Sequence, residues 1–441
     1  MHKWSAPRCA SVVLGSLLAA STGAADTAEP MDRIARAYVE LVLELGEHDA
    51  DFVDAYYGPA EWRARAKQRN LGLAELEVDV RGLAAELAAV KRHEDAPLEQ
   101  RRVRFLSAQL EAVRTRIDML QGEKLSFDEE SRRLYGVVAP RHDENHYREA
   151  LRAVDAATPG EGSLADRAEA LRQRSIVPAD RIDTVLRRGL QECRDRSRPH
   201  VTLPDSEDFS IEYVRGEPWG AYNWYKGGLR SVIQVNLDPP FVVNRAVTLS
   251  CHEGYPGHHA YNAMLEQRLV RERGWVEFTV YPLFSPQSLI AEGTADFGTE
   301  LAFPDQSLWP WVGKHLVPMA GVDPEVSSVQ AKLQAAERPL RSLRIDVARE
   351  YLDGRLSRRD ALRWLAEYGR VNSEEAERAL RFIERYRSYV INYSYGEDLV
   401  RAYVDAVGGQ EPGKRWAVFL GLLSNPTVPA DLLVDRSAEP R

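Results

Sequence analysis

The stretch His252-Glu253-Gly254-Tyr255-Pro256-Gly257-His258-His259 sits inside a segment, Phe241 to about Val270, that otherwise reads as one apolar helix. It gathers three of the ten histidines of a 441-residue chain into eight positions, beside a glutamate. Residues four apart share a helical face, so two histidines at that spacing can hold one zinc ion at about 2.0 Å each while an adjacent glutamate takes a proton from water. Here the fourth position is Pro256. On a regular helix His258 would be rotated about 120° from His252, and His259, near the right face, would lie about 10 Å along the axis. Pro256 cannot donate to the carbonyl of His252 and crowds it, and Gly257 relaxes the backbone beside it. A local bulge of about two residues would bring His258 into the second ligand position. The expectation is an interrupted helix with the two imidazole nitrogens about 3 to 4 Å apart. His259 would then point to the substrate side or stand behind the ligands, and the choice between His258 and His259 as second ligand stays open.

A third ligand should come from another helix. After Pro286-Gln287 the chain reads Leu289-Ile290-Ala291-Glu292-Gly293-Thr294-Ala295-Asp296-Phe297-Gly298-Thr299-Glu300, closed by Pro304. Glu292 is the strongest candidate; Asp296 lies four residues on, so one of the two can bind metal while the other orients a ligand histidine through its second ring nitrogen. Glu300 continues the same face. An acidic surface stripe is the competing reading, but Leu289, Ile290, Ala291, Ala295 and Phe297 around these carboxylates read as buried. Two histidines and a carboxylate with an adjacent glutamate suit zinc and hydrolysis, although ligand type alone leaves manganese and iron open.

These residues resemble the bacterial domain of unknown function 885 family, whose members carry an HExxPGHH motif followed by an EGxAxY-like helix. The resemblance rests on His252-Glu253, Pro256-Gly257-His258-His259 and Glu292-Gly293-x-Ala295, with Phe297 at the aromatic position. It continues more loosely through Asn236 upstream and Arg341, Arg344, Asp346, Arg385-Tyr386 and Tyr393-x-x-Gly396 downstream. Thr294 and Asp296 depart from the bulky apolar residues usual there. The family looks related in its site to helical metallopeptidases such as the thermostable carboxypeptidases and angiotensin-converting-enzyme-like proteins. The resemblance implies a mainly α fold, large and metallopeptidase-like, with a small antiparallel β-sheet beside the metal-binding helix and one zinc ion on His252, His258 and Glu292. It also implies Glu253 as general base and Tyr393 or His259 as donor to the developing oxyanion. Asn236, Arg341 and Arg344 are its substrate-binding candidates, the arginines for a substrate carboxylate. Packing for Tyr393 and ordinary salt bridges to Asp346 or Glu350 for the arginines are the plainer readings.

Outward from the motif, residues 26–200 read as a helical region with one buried stripe per helix, opened at Ser126-Phe127-Asp128-Glu129 by a capping box and punctuated by Asn70-Leu71-Gly72, Thr158-Pro159-Gly160 and Val177-Pro178. His142 and His146 lie four apart but among charged residues, and read as the solvated start of a helix. Residues 201–441 read as the catalytic region, one integrated unit. It opens with alternating segments between Val201 and Leu237, which fit a small antiparallel sheet, and returns to helix from Val326 to about Val407 with turns at Gly354, Asn372 and Gly396.

Composition bounds the rest. With 44% hydrophobic and 28% charged residues the chain is ordinary globular material, and a net charge of -9 from 67 acids and 58 bases leaves no basic field for nucleic acid. Residues 1–25 read as a secretory signal: Lys3 and Arg8, an apolar run from Cys9 to Ala20, and small residues up to a cleavage point near Ala24 or Ala25. The run is too short to span a bilayer comfortably, so a periplasmic or secreted protein without stable membrane insertion is expected. Cys193 and Cys251 remain after cleavage; they could form one bridge and read better as buried thiols. The chain thus reads as an exported zinc-dependent hydrolase acting on peptides. A zinc amidase or esterase for a non-peptide or cell-wall substrate would use the same residues, and a non-catalytic periplasmic binding protein would be expected to have lost Glu253.

Overall fold

The computed structural model describes residues 22–90, 96–217 and 219–433. The expected leader lies, up to residue 21, outside these. From Thr22 the chain is mainly α-helical, with two small sheets. Helices at Thr22–Gly46, Ala60–Arg69, Leu73–Ala89 and Pro97–Leu120 pack through the apolar stripes that their sequences carry, such as Leu76, Val80, Leu83 and Leu87. Ser126 accepts from the backbone of Glu129 at 3.3 Å and so opens the Phe127–Tyr135 helix.

The N-terminal region contains one strand that helical periodicity does not announce. β1 (Val53–Tyr56) pairs antiparallel with β5 (Val280–Pro282), Val53 opposite Pro282 and Tyr56 opposite Val280. The remaining strands are β2 (Asp208–Val214), β3 (Ala221–Gly227) and β4 (Arg230–Asn236), in the order β2-β4-β3. This sheet is mixed and not the antiparallel one expected: β3 and β4 form a hairpin, but β2 runs parallel to β4. The hairpin closes through Gly227-Gly228-Leu229, where all three φ angles are positive, at 74°, 67° and 61°. β4 thus returns along β3 and lies between its two predecessors.

One apolar core runs from Ile34 and Tyr38 through Phe105, Leu289 and Phe297 to Phe419 and Leu423, so that N- and C-terminal helices enclose the same interior. A second core gathers around Leu186, Val247, Val312 and Leu333. Cys193, in the Ile182–Ser197 helix, is bonded to Cys251, in the Val243–Glu253 helix, with Cα atoms 5.4 Å apart. The reading as thiols is thereby corrected. The two helices lie against each other, with Ala246 O only 2.9 Å from where a Cβ on Gly189 would stand, which brings both sulfurs into one buried contact.

Gly354 and Asn372 do mark turns, but Gly396 lies within the Ser394–Gly408 helix. Its role is close approach: a Cβ on Gly293 would stand 2.5 Å from the carbonyl carbon and oxygen of Gly396. Gly293→Ala is therefore expected to force the two helices apart and to lower unfolding free energy by about 1–3 kcal/mol, as overpacking does. Urea unfolding of the metal-free protein measures this, and an unchanged midpoint would refute the close-packing argument.

Candidate metal centre

The Val243–Glu253 helix ends within the histidine motif, and a new helix, His258–Leu265, begins after four intervening residues. The break is larger than a two-residue bulge. Gly254 leaves helical geometry, the Tyr255–Pro256 peptide is cis, and Gly257 returns the chain with its N–H donating to Cys251 O at 2.9 Å. A Cβ on Gly257 would collide with the carbonyl oxygens of His252 and Cys251, so only glycine permits this approach.

As a result His252 Nε2 and His258 Nε2 face each other at 3.1 Å. Glu292, from the Pro286–Ala302 helix, brings Oε2 to 3.4 Å from the first nitrogen and 3.6 Å from the second. Together the three residues offer one ligand atom each, all within 4.8 Å of one another, a group able to hold a metal ion. The donor chemistry fits a divalent ion: Glu292 Oε2 is buried and accepts no hydrogen bond, while Oε1 accepts from the Tyr389 hydroxyl at 2.8 Å. Burial would raise the Glu292 carboxyl, but His258 and His252 outweigh it and hold it well below the usual carboxylate range. His252 Nδ1 lies 2.8 Å from Asp296 Oδ1, the orienting contact read from the sequence. Glu300, on the same helix, pairs with Arg401 and Arg415.

Glu253 is 6% exposed, and its Oε2 has no partner among the described residues. Burial pushes its carboxyl up, only partly offset by the two histidines. The strand β3 touches this residue, since Asn223 Nδ2 donates to the Glu253 carbonyl at 2.7 Å. Tyr393 stacks edge-on against Tyr389 with ring centroids 5.7 Å apart. Burial and then Glu292 push its phenol up, so it stays a proton donor. Arg344 is exposed and pairs with no carboxylate among the described residues, whereas Arg341 pairs with Glu397 and stands 3.9 Å from Asp296. Asp346 instead engages His142 and Arg349, and Glu350 engages Arg355.

Two expected site residues occupy different positions. His259 is fully buried, with Nδ1 2.8 Å from Ser231 Oγ and Nε2 2.8 Å from Glu207 Oε2. Both ring nitrogens are thus engaged behind the centre, which leaves neither for an oxyanion. Asn236 donates from Nδ2 to the carbonyls of Glu217 and Trp219, and its Oδ1 accepts from Asp238 N, so it clasps a turn and does not face a substrate. His142 is likewise no free solvated residue, since it stacks on His146 at 4.3 Å and contacts Asp346 at 3.0 Å. The sequence reading missed Tyr389, Asn223 and Glu207. Only Tyr389 carried a signal, its four-residue spacing from Tyr393.

No family profile matches the sequence, and no curated protein matches it. Solved structures do. A presumed lipoprotein from Colwellia psychrerythraea superposes with a TM-score of 0.50 at 15% identity over 82% of this chain, which spans 66% of that structure's length. A presumed lipoprotein of unknown function from Shewanella oneidensis gives 0.45 at 12% identity, covering 85% of this chain and 78% of its own. An M32 carboxypeptidase from Deinococcus radiodurans R1 gives 0.35 at 14% identity, covering 92% and 90%. At these identities the first likeness speaks for the fold alone.

Proposed function

We propose that this chain is an exported zinc-dependent hydrolase of the peptidase type. The observation that carries the reading is the convergence of His252, His258 and Glu292 on one point, with the buried, unpartnered carboxylate of Glu253 beside it. Zinc bound to that triad would supply Lewis acidity and a lowered pKa for water. Asp296 fixes the ring of His252 and selects its tautomer. Glu253 accepts the proton of the attacking water and delivers it to the leaving nitrogen as the carbon–nitrogen bond breaks. Tyr393 donates to the developing oxyanion, and Arg344, which pairs with no carboxylate among the described residues, offers its guanidinium to a substrate carboxylate.

Export is supported by the leader pattern and by the Cys193–Cys251 bridge, a bond that persists in oxidising compartments. No helix among the described residues is long and apolar enough to cross a membrane.

The test is hydrolysis of a mixed peptide library, read by mass spectrometry with and without a chelator. Chelator-sensitive cleavage is expected; cleavage of non-peptide amides or esters alone would move the reading to an amidase or esterase, and no turnover with full zinc would overturn hydrolysis. A finer test is Asp296→Asn, expected to weaken zinc about 10- to 100-fold, as loss of an outer hydrogen-bond partner does. Competition with a chelator of known affinity measures it, and unchanged zinc affinity would remove the orienting role.

A further inference from the structure

Asp54 takes no part in the chemistry above, yet the fold brings it close to the same centre. It stands on β1, whose partner β5 leads into the Glu292 helix at Pro286. The strand β3 contacts both residues: the Tyr222 hydroxyl donates to Asp54 Oδ1, and Asn223 Nδ2 donates to the backbone carbonyl of Glu253. Asp54 consequently lies within electrostatic reach of His258, Glu292 and Glu253.

No arginine or lysine pairs with Asp54 among the described residues, and Tyr222 is its hydrogen-bond partner. Glu253 and Glu292 each keep a buried carboxylate oxygen without a partner. Burial, partly offset by His258 and reinforced by Glu292 and Glu253, pushes the Asp54 carboxyl up to about 7. A half-buried carboxylate in this position is stabilised by a cation arriving from outside the protein. In a short peptide the cation nearest the cleaved bond is the peptide's own α-ammonium.

We infer that Asp54, held by Tyr222, is the subsite for the free α-amino group of the substrate, which makes the substrate class short peptides with an unblocked amino terminus. This rests on the peptidase reading, and with Arg344 it would place recognition groups at both peptide ends.

The experiment uses the zinc-loaded Glu253→Gln protein, so that peptides bind without being cleaved, and titrates trialanine and N-acetyl-trialanine by calorimetry. Trialanine is expected to bind about tenfold or more tightly, as a charge-assisted hydrogen bond gives. Asp54→Asn, introduced into the same protein, should bring trialanine down to the affinity of the acetylated peptide and leave the latter unchanged. Equal affinities before that substitution, an equal loss for both peptides after it, or binding of neither would each overturn the subsite. The comparison of the two peptides on unaltered Asp54 stands even where Asp54→Asn folds poorly. Tight, amine-selective binding together with a parent enzyme that cleaves neither peptide would remove the peptidase reading and leave the subsite. Cleavage of both peptides at equal affinity would do the reverse.

Discussion

Replacing His252 by alanine is expected to empty the metal centre. Zinc in a hydrolytic site is held by three protein ligands, and His252 has two tasks: its Nε2 faces His258 at 3.1 Å, and its Nδ1 is fixed by Asp296 at 2.8 Å. The substitution removes a donor and also frees Asp296, leaving Glu292 opposite a cavity. The loss should exceed the about 10- to 100-fold that outer partners contribute. Glu292→Ala should do the same, since its Oε2 lies 3.4 Å and 3.6 Å from the two histidines and has no other partner. Elemental analysis of the purified variants gives the answer: close to one zinc per parent chain, and far less in either variant. Full occupancy in both would show that the ligand set is wrong.

Glu253→Gln separates binding from chemistry. Glu253 adjoins His252 in sequence, yet its side chain does not belong to the converging group. The amide is isosteric and can still occupy the buried position, but it cannot accept a proton from water. Turnover should fall about 10²- to 10⁴-fold, the usual contribution of a positioned base, while zinc stays near one per chain. Peptide hydrolysis at the parent rate would require another base. Loss of zinc would make Glu253 structural and redraw the ligands.

The parts of this site that were legible in the sequence are those where a local rule is broken in place. A proline and a glycine between histidines cannot continue a helix, and acids at Glu292 and Asp296 do not sit among Leu289, Ile290 and Phe297 without partners. What was illegible depends on distant chain. β1 is four residues long and its partner β5 three, too short for alternation to declare either. The mixed sheet arises because β4 inserts between β2 and β3, an order that strand patterning does not carry. His259 looks as functional as its neighbour until Glu207 and Ser231 arrive to claim both nitrogens. Gly396 reads as a turn because a lone glycine cannot announce that Gly293 will lie against it.

The pairing of Val53 with Pro282 also sets a timetable. During synthesis β1 emerges early and must wait for β5, and Tyr389, which steadies Glu292, emerges later still. Long-range pairing of this kind is slow, because chain closure precedes any gain from contact. A nascent polypeptide therefore carries the histidine motif before Glu292 and Tyr389 join it. Completion of the candidate metal centre is thereby postponed until Glu292 and Tyr389 have both folded against it.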